Sequence, residues 1–213
     1  MLHSNFSFYG GGGIFNKYPT RELDVKEAID LIKSDRYKSQ ITFLRSLKTK
    51  DERDALKEKL DYFTFAGIFK IRKNEGIISS SGIICIDIDH LSSEQLNIVK
   101  EKISQIPNTI FIFKSPSGDG LKVGISIPKT LHNEQFKKTW NHVTKIYDIK
   151  EQADENTKDI SRACFVSYDP ELFINVNAVC LDIKFDDIPE ETIEDVNEEI
   201  SQIIKYGKLS RSR

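Results

Sequence analysis

With 213 residues, 38% of them hydrophobic and 30% charged, the chain is long enough for one packed domain, or a compact pair of subdomains, without disulfide or metal staples. No apolar run approaches the ~20 residues needed to span a bilayer, so no transmembrane segment and no membrane partner are expected. The net charge of −2 hides an asymmetry: residues 36–73 hold eleven Lys/Arg against five acids, and residues 182–199 hold nine acids against Lys184 alone. The first segment could face a polyanion, although two solvated helical faces would give the same counts.

The start, Met1 to Phe6, lacks a basic segment followed by an apolar one, so no signal peptide is expected and the cytoplasm is the default compartment. Gly10 to Gly13 are too flexible for a regular element, and residues 1–20 read as a short arm or strand. Asp24 and Glu27 form a capping-box pattern ahead of Val25, Ala28, Ile29 and Ile32, which predicts a helix through about residue 34. A second helix is predicted over about 51–60, with Leu56 and Leu60 on one face, and residues 62–69 turn aromatic and β-rich. Residues 82–89 read as a buried central strand, followed by a helix from Ser92 or Ser93 that carries Leu96, Val99, Ile103 and Ile106. Thr109–Lys114 and Leu121–Ile127 flank a Gly-rich turn as a hairpin. A helix is predicted over 133–147, strands over 163–168 and 178–183, and a last helix from Pro189 with Ile193, Val196, Ile200 and Ile203. Cys85, Cys164 and Cys180 have no metal-ligand spacing and read as three buried thiols.

Three segments carry chemistry. Asp87 and Asp89 close the apolar run Ile83 to Ile86; at i and i+2 of a strand they share one face, about 6.6 Å apart at a rise of about 3.3 Å per residue. A divalent cation would relieve their repulsion, and oxygen ligands suit Mg2+ or Mn2+; a strand end pairing with lysines or a helix N-terminus would explain them as well. His90 falls on the opposite face and is left out of the site. Ser115-Pro116-Ser117-Gly118-Asp119-Gly120-Leu121-Lys122 offers backbone N–H groups and a positive charge to phosphate, and equally makes a plain hairpin turn. It is not a Walker A loop, and Gly124 on the Lys122 face leaves room for a ligand against the sheet. Within Ala153 to Arg162, Asp154 or Asp159 could complete the carboxylate set, and Arg162 could hold phosphate or template. A Toprim-type metal domain wants a glutamate strand well upstream, and Glu75 stands only twelve residues before Asp87.

The succession D-h-D, then S-G-x-x-G-h-K, then an acid followed by arginine and a strand resembles the archaeo-eukaryotic primase superfamily, which includes the primase-polymerases. More narrowly, Thr64 to Phe69, Cys85 to Leu91, Ser115 to Lys122 and Ser161 to Pro170 resemble the VirE N-terminal domain family of bacterial mobile-element proteins, over about residues 40–180. The resemblance implies an α+β fold: a primase-polymerase-like core in which an α/β unit joins an RRM-like unit across a cleft. It implies a core at 21–187 after the arm at 1–20, a C-terminal helix at 188–206, and a basic tail or linker at 207–213 leading toward a helicase domain or partner. By motif position Asp87, Asp89 and Asp154 become the catalytic metal ligands for Mg2+ or Mn2+. Ser115, Ser117, Gly118, Gly120, Lys122 and Arg162 become the nucleotide-binding set. The implied activity is DNA primase or polymerase chemistry in replication of a mobile element, with nucleoside triphosphates and single-stranded or primer-template DNA as partners. The superfamily usually carries histidine where Lys122 stands, and this departure opens a second reading: a primase-fold module that binds DNA or nucleotide with weak catalysis or none.

Overall fold

Buried aromatics begin the chain. Phe6 and Phe8 lie in the core from β1 (Phe6–Tyr9), which pairs antiparallel with β2 (Arg21–Leu23), so the glycine run is a loop between two partnered strands. The structure, a computed structural model, describes residues 4–183, and the expected helix at 188–206 and tail at 207–213 lie outside the described residues. Helix α1 (Val25–Lys33) begins where the pattern placed it: Asp24 Oδ1 accepts from the Glu27 amide at 2.9 Å, and Glu27 Oε2 accepts from the Asp24 amide at 2.9 Å. Helix α2 (Lys38–Ser46) was not expected, because only Ile41 and Leu44 are buried in a basic, polar segment. Thr49 and Glu52 cap α3 (Lys50–Lys57), which buries none of its residues fully. The aromatic run divides into β3 (Tyr62–Thr64) and β4 (Gly67–Phe69), and β4 turns away to pair with β5 (Ile77–Ser80).

The next elements follow their patterns: β6 (Ile83–Ile88), α4 (Ser93–Ser104) with a Ser92/Gln95 capping box, β7 (Thr109–Lys114), β8 (Leu121–Ser126) and α5 (Asn133–Ile146). The strand expected at 163–168 shrinks to β9 (Cys164–Phe165), and 178–183 is not a strand. There, Val179 and Leu181 make isolated backbone bonds to Pro107 and Ser126 instead of a ladder. The last strand is β10 (Phe173–Ile174), which joins the edge of β7.

Two four-stranded sheets result, ordered β2-β1-β3-β9 and β10-β7-β8-β6. Since β6 and β7 both run antiparallel to β8, they are parallel to each other, and α4 is the crossover between them. After α5 the chain returns to the free edge of β6 through one bridge, Ala153 to Ile88. This completes a β-α-β-β-α-β succession whose last strand is a single residue pair. The described residues form a mixed α+β fold with antiparallel strand pairing, and no helix among them is long and apolar enough to cross a membrane.

The sheets share an aromatic core. Ring centroids of Phe6 and Phe65 lie 4.7 Å apart, Phe65 and Phe111 4.9 Å, and Phe111 and Phe113 5.7 Å. This core corrects two expectations. A Cβ on Gly124 would stand 2.3 Å from the Phe111 ring, so the space above that glycine belongs to a core side chain and not to a ligand. Of the three thiols only Cys164 is fully buried: Cys85 is half-buried and Cys180 exposed, because the segment around Cys180 runs over the surface without joining a sheet.

Candidate functional site

Asp87 is opposite Lys122 in the β6–β8 register, so their side chains leave the sheet on one face, and Lys122 Nζ donates to Asp87 Oδ2. Each side chain is only 12% exposed. Burial lowers the Lys122 pKa from the ordinary lysine value. The other carboxylate oxygen, Asp87 Oδ1, is buried and has no hydrogen-bond partner. An orphaned carboxylate oxygen in a buried position is costly unless a further positive group meets it.

The third carboxylate reaches the site by the edge bridge. Because Ile88 faces Ala153, the Asp154 amide donates to the Asp87 carbonyl at 2.8 Å and the Asp89 amide to the Gln152 carbonyl at 3.3 Å. Side-chain oxygens of Asp87, Asp89 and Asp154 consequently lie within 4.8 Å of one another. Burial first, and the Asp154 charge second, raise the Asp89 pKa above the ordinary carboxyl value. Asp154 is held from two sides, accepting from the Asn156 amide at 3.0 Å and pairing with Arg162 at 3.3 Å. Asp159, the competing candidate, spends its Oδ1 on the Ser161 amide and hydroxyl and does not join the cluster. His90, left out of the site from its face, is exposed with a φ of 60°.

Beside the carboxylates stands the turn from Ser115 to Gly120, closed by Ser115 N donating to Gly120 O at 2.8 Å. Gly120 is packed so closely that a Cβ there would meet the Ile88 carbonyl at 2.5 Å and Asp89 Oδ1 at 3.0 Å. Gly118, with a φ of 86°, makes the turn's left-handed step against Arg45. Neither glycine lines the open space: they shape the turn that brings Ser115 and Ser117 to it. The Ser115 hydroxyl, like Asp87 Oδ1, is buried without a partner.

These groups surround one cleft of about 390 Å³, lined by Asp87, Asp89, Asp154, Ser115, Ser117 and Lys122 from the second sheet's side, with Arg162 just ahead of β9. Its other wall comes from Ile14 and from Asp54, Lys57 and Glu58 at the end of α3, none of which the sequence marked. Arg45 on α2 was also missed. Its guanidinium donates to the Ser115 carbonyl at 3.0 Å, the Pro116 carbonyl at 3.3 Å and Ser167 Oγ at 3.3 Å, clamping the turn from behind. No local pattern distinguishes this arginine from its basic neighbours, since its partners lie 70 to 122 residues away.

An all-oxygen set with an orphaned buried oxygen fits a hard divalent cation such as Mg2+ or Mn2+. The residues that would hold it are Asp87, Asp89 and Asp154. Beside them, Ser115, Ser117, Lys122 and Arg162 offer hydroxyls and positive charge suited to phosphate oxygens.

The model of the BT4734-like, N-terminal domain matches residues 55–173, more than half of the chain. The chain belongs to the BT4734-like N-terminal domain family. The match begins within α3 and ends in β10, so it contains the carboxylate cluster, the Ser115–Gly120 turn, Lys122 and Arg162. It leaves out β1, the glycine loop and α2 with Arg45. No curated protein and no solved structure matches the chain significantly.

Proposed function

We propose that this domain is a metal-dependent nucleotidyltransferase of the primase-polymerase type, acting on nucleoside triphosphate and primer-template or single-stranded DNA. The observation that carries this reading is the gathering of three carboxylates from two distant segments into one cleft with Ser115, Ser117, Lys122 and Arg162. The β-α-β-β-α-β succession supports this reading, since it is the order expected of the RRM-like half of such a core, and the motif order resembles that of the archaeo-eukaryotic primases and the VirE N-terminal domains.

When bound at the carboxylates, a divalent cation would supply charge stabilisation to attacking and leaving oxygens. The chain's own residues do the positioning. Arg162, 46% exposed and tied to Asp154, is placed to hold a triphosphate oxygen at the cleft wall. Ser115 and Ser117 line the cleft from the turn and are the hydroxyls proposed to meet further phosphate oxygens. Arg45 fixes the turn, so these donors do not have to be ordered when the nucleotide arrives. Lys122 balances Asp87, and with a divalent cation held by the carboxylates its charge would be available to phosphate.

That last contact favours a second reading as well. With its ammonium on Asp87, Lys122 already supplies part of the compensation a metal would give, as in a module that binds nucleotide or DNA without turnover. Extension of a labelled primer with deoxynucleotides and Mn2+ or Mg2+, by wild type and Asp89→Asn, separates the two. Extension by the wild type that the variant loses is the expected result; DNA binding by both proteins with no extension by either would leave only the binding module.

A further inference from the structure

We infer that the loop between β1 and β2 is a stacking platform for unpaired bases of a nucleic acid strand entering the cleft, with Phe15 and Tyr18 as its two rings. This rests on the nucleic-acid reading above and names a surface outside the carboxylate site. Phe15 is 76% and Tyr18 65% exposed; among the described residues only Phe43 of the other aromatics is comparably exposed, and it stands alone on α2. Exposed rings are an ordinary finding on a mobile tail, but these are rigidly mounted. The Ile14 amide donates to the Glu58 carbonyl at 2.8 Å, and the Arg72 amide to the Lys17 carbonyl at 2.8 Å. Arg72 also donates from its guanidinium to the Ile14 carbonyl at 3.1 Å, and the Tyr18 amide donates to Asn16 Oδ1 at 3.0 Å. Gly13 permits the mounting: a Cβ there would lie 1.9 Å from the Glu58 carbonyl oxygen and 2.7 Å from Lys59 Cα.

The charges around the rings select the partner. Lys17 stands between them in sequence, Lys59 beneath Gly13, and Arg72 and Lys73 beside Lys17; none of the four pairs with a carboxylate among the described residues. Two presented rings flanked by Lys17, Lys59 and Lys73, with Arg72 spent on the Ile14 carbonyl and on the Tyr62 ring and hydroxyl, suit stacked bases with phosphates alongside, a combination that holds single strands with little sequence preference. A protein partner would give these cations acids to meet, and nothing about the rings requires it. The neighbouring residue, Ile14, lines the cleft, so a base stacked on Phe15 lies at the mouth of the carboxylate site.

The test is fluorescence anisotropy of a labelled oligothymidylate at several salt concentrations, with wild type, Phe15→Ala, Tyr18→Ala and Phe15→Trp. Each alanine variant should bind about tenfold more weakly with an unchanged salt slope, because a ring and no phosphate contact has been removed. Phe15→Trp should retain affinity, and its added emission should be quenched on binding. Wild-type affinity in both alanine variants overturns the platform while leaving the catalytic reading untouched. Failure of the wild type to bind overturns the platform and leaves the rings to a protein partner. Ring-dependent binding without primer extension supports the platform and removes the catalytic reading.

Discussion

Asp89→Asn should stabilise the metal-free protein while weakening its response to metal. Asp89 accepts no hydrogen bond from any described residue, so the amide forfeits none, and the charge that acts on it most is the Asp154 carboxylate, with His90 and Lys57 acting in the opposite sense. Two unit charges 4.8 Å apart repel by about 3.5 kcal/mol at an effective dielectric of ~20. The cleft is open to water and Arg162 offsets part of the Asp154 charge, so about 1 kcal/mol should remain. For a domain of this size that corresponds to a rise of about 2–4 °C in Tm. Thermal unfolding in chelator at neutral pH reads it directly. Since burial and Asp154 raise the Asp89 pKa in the folded chain, the native state holds that proton more tightly than the unfolded state does. Wild-type stability therefore falls, relative to the variant, as pH rises from about 4 through the raised value, and the gap should close on acidification. Added Mn2+ reverses the order: at a hundredfold excess over Kd the wild type gains about 2.7 kcal/mol, and the variant gains less. A variant less stable than wild type in chelator, with an equal Mn2+ response, would refute the idea that Asp89 and Asp154 are mutually repelling ligands.

Lys122→Met should cost about 3–5 kcal/mol in urea unfolding, because it strands the Asp87 carboxylate in a buried position, and Asp87→Asn added to it should recover most of the loss. Equal losses in the single and double variants would show that packing and not charge is at stake. Gly124→Ala should lose about 1–3 kcal/mol, since the methyl group meets the Phe111 ring, and unchanged stability would mean that the aromatic core yields freely. An aromatic disulfide reagent should label Cys180 well before Cys85 and Cys164; simultaneous labelling of all three would contradict the packing between the sheets.

Legibility from sequence followed the range of the interactions. The β6 strand and the aspartate pair at its end were readable because a short run of apolar, mostly β-branched residues is a local property. The capping box at Asp24 and the helix start at Ser92 or Ser93 were readable for the same reason. Asp154 could be proposed only beside Asp159, because its selection depends on a backbone bond to Asp87 across 67 residues, the difference between positions 154 and 87. Gly124 shows the opposite error: a glycine on the site's face looks like room for a ligand until Phe111 from the neighbouring strand fills it. Helix α2 escaped because tertiary contacts at Ile41 and Leu44, together with Arg45 reaching the turn, stabilise a segment with little amphipathic signal.

The bridge between Ile88 and Ala153 gives the site two parts of unequal permanence. Asp87 lies in a six-residue strand that the fold cannot do without and Asp89 follows it directly, whereas Asp154 depends on one residue pair at a sheet edge. Changes in the length or sequence of the 147–153 connection can therefore withdraw the third ligand and leave the sheet standing. Within such a family, catalytic and purely binding members would be separable by small edits at that edge, with no redesign of the core.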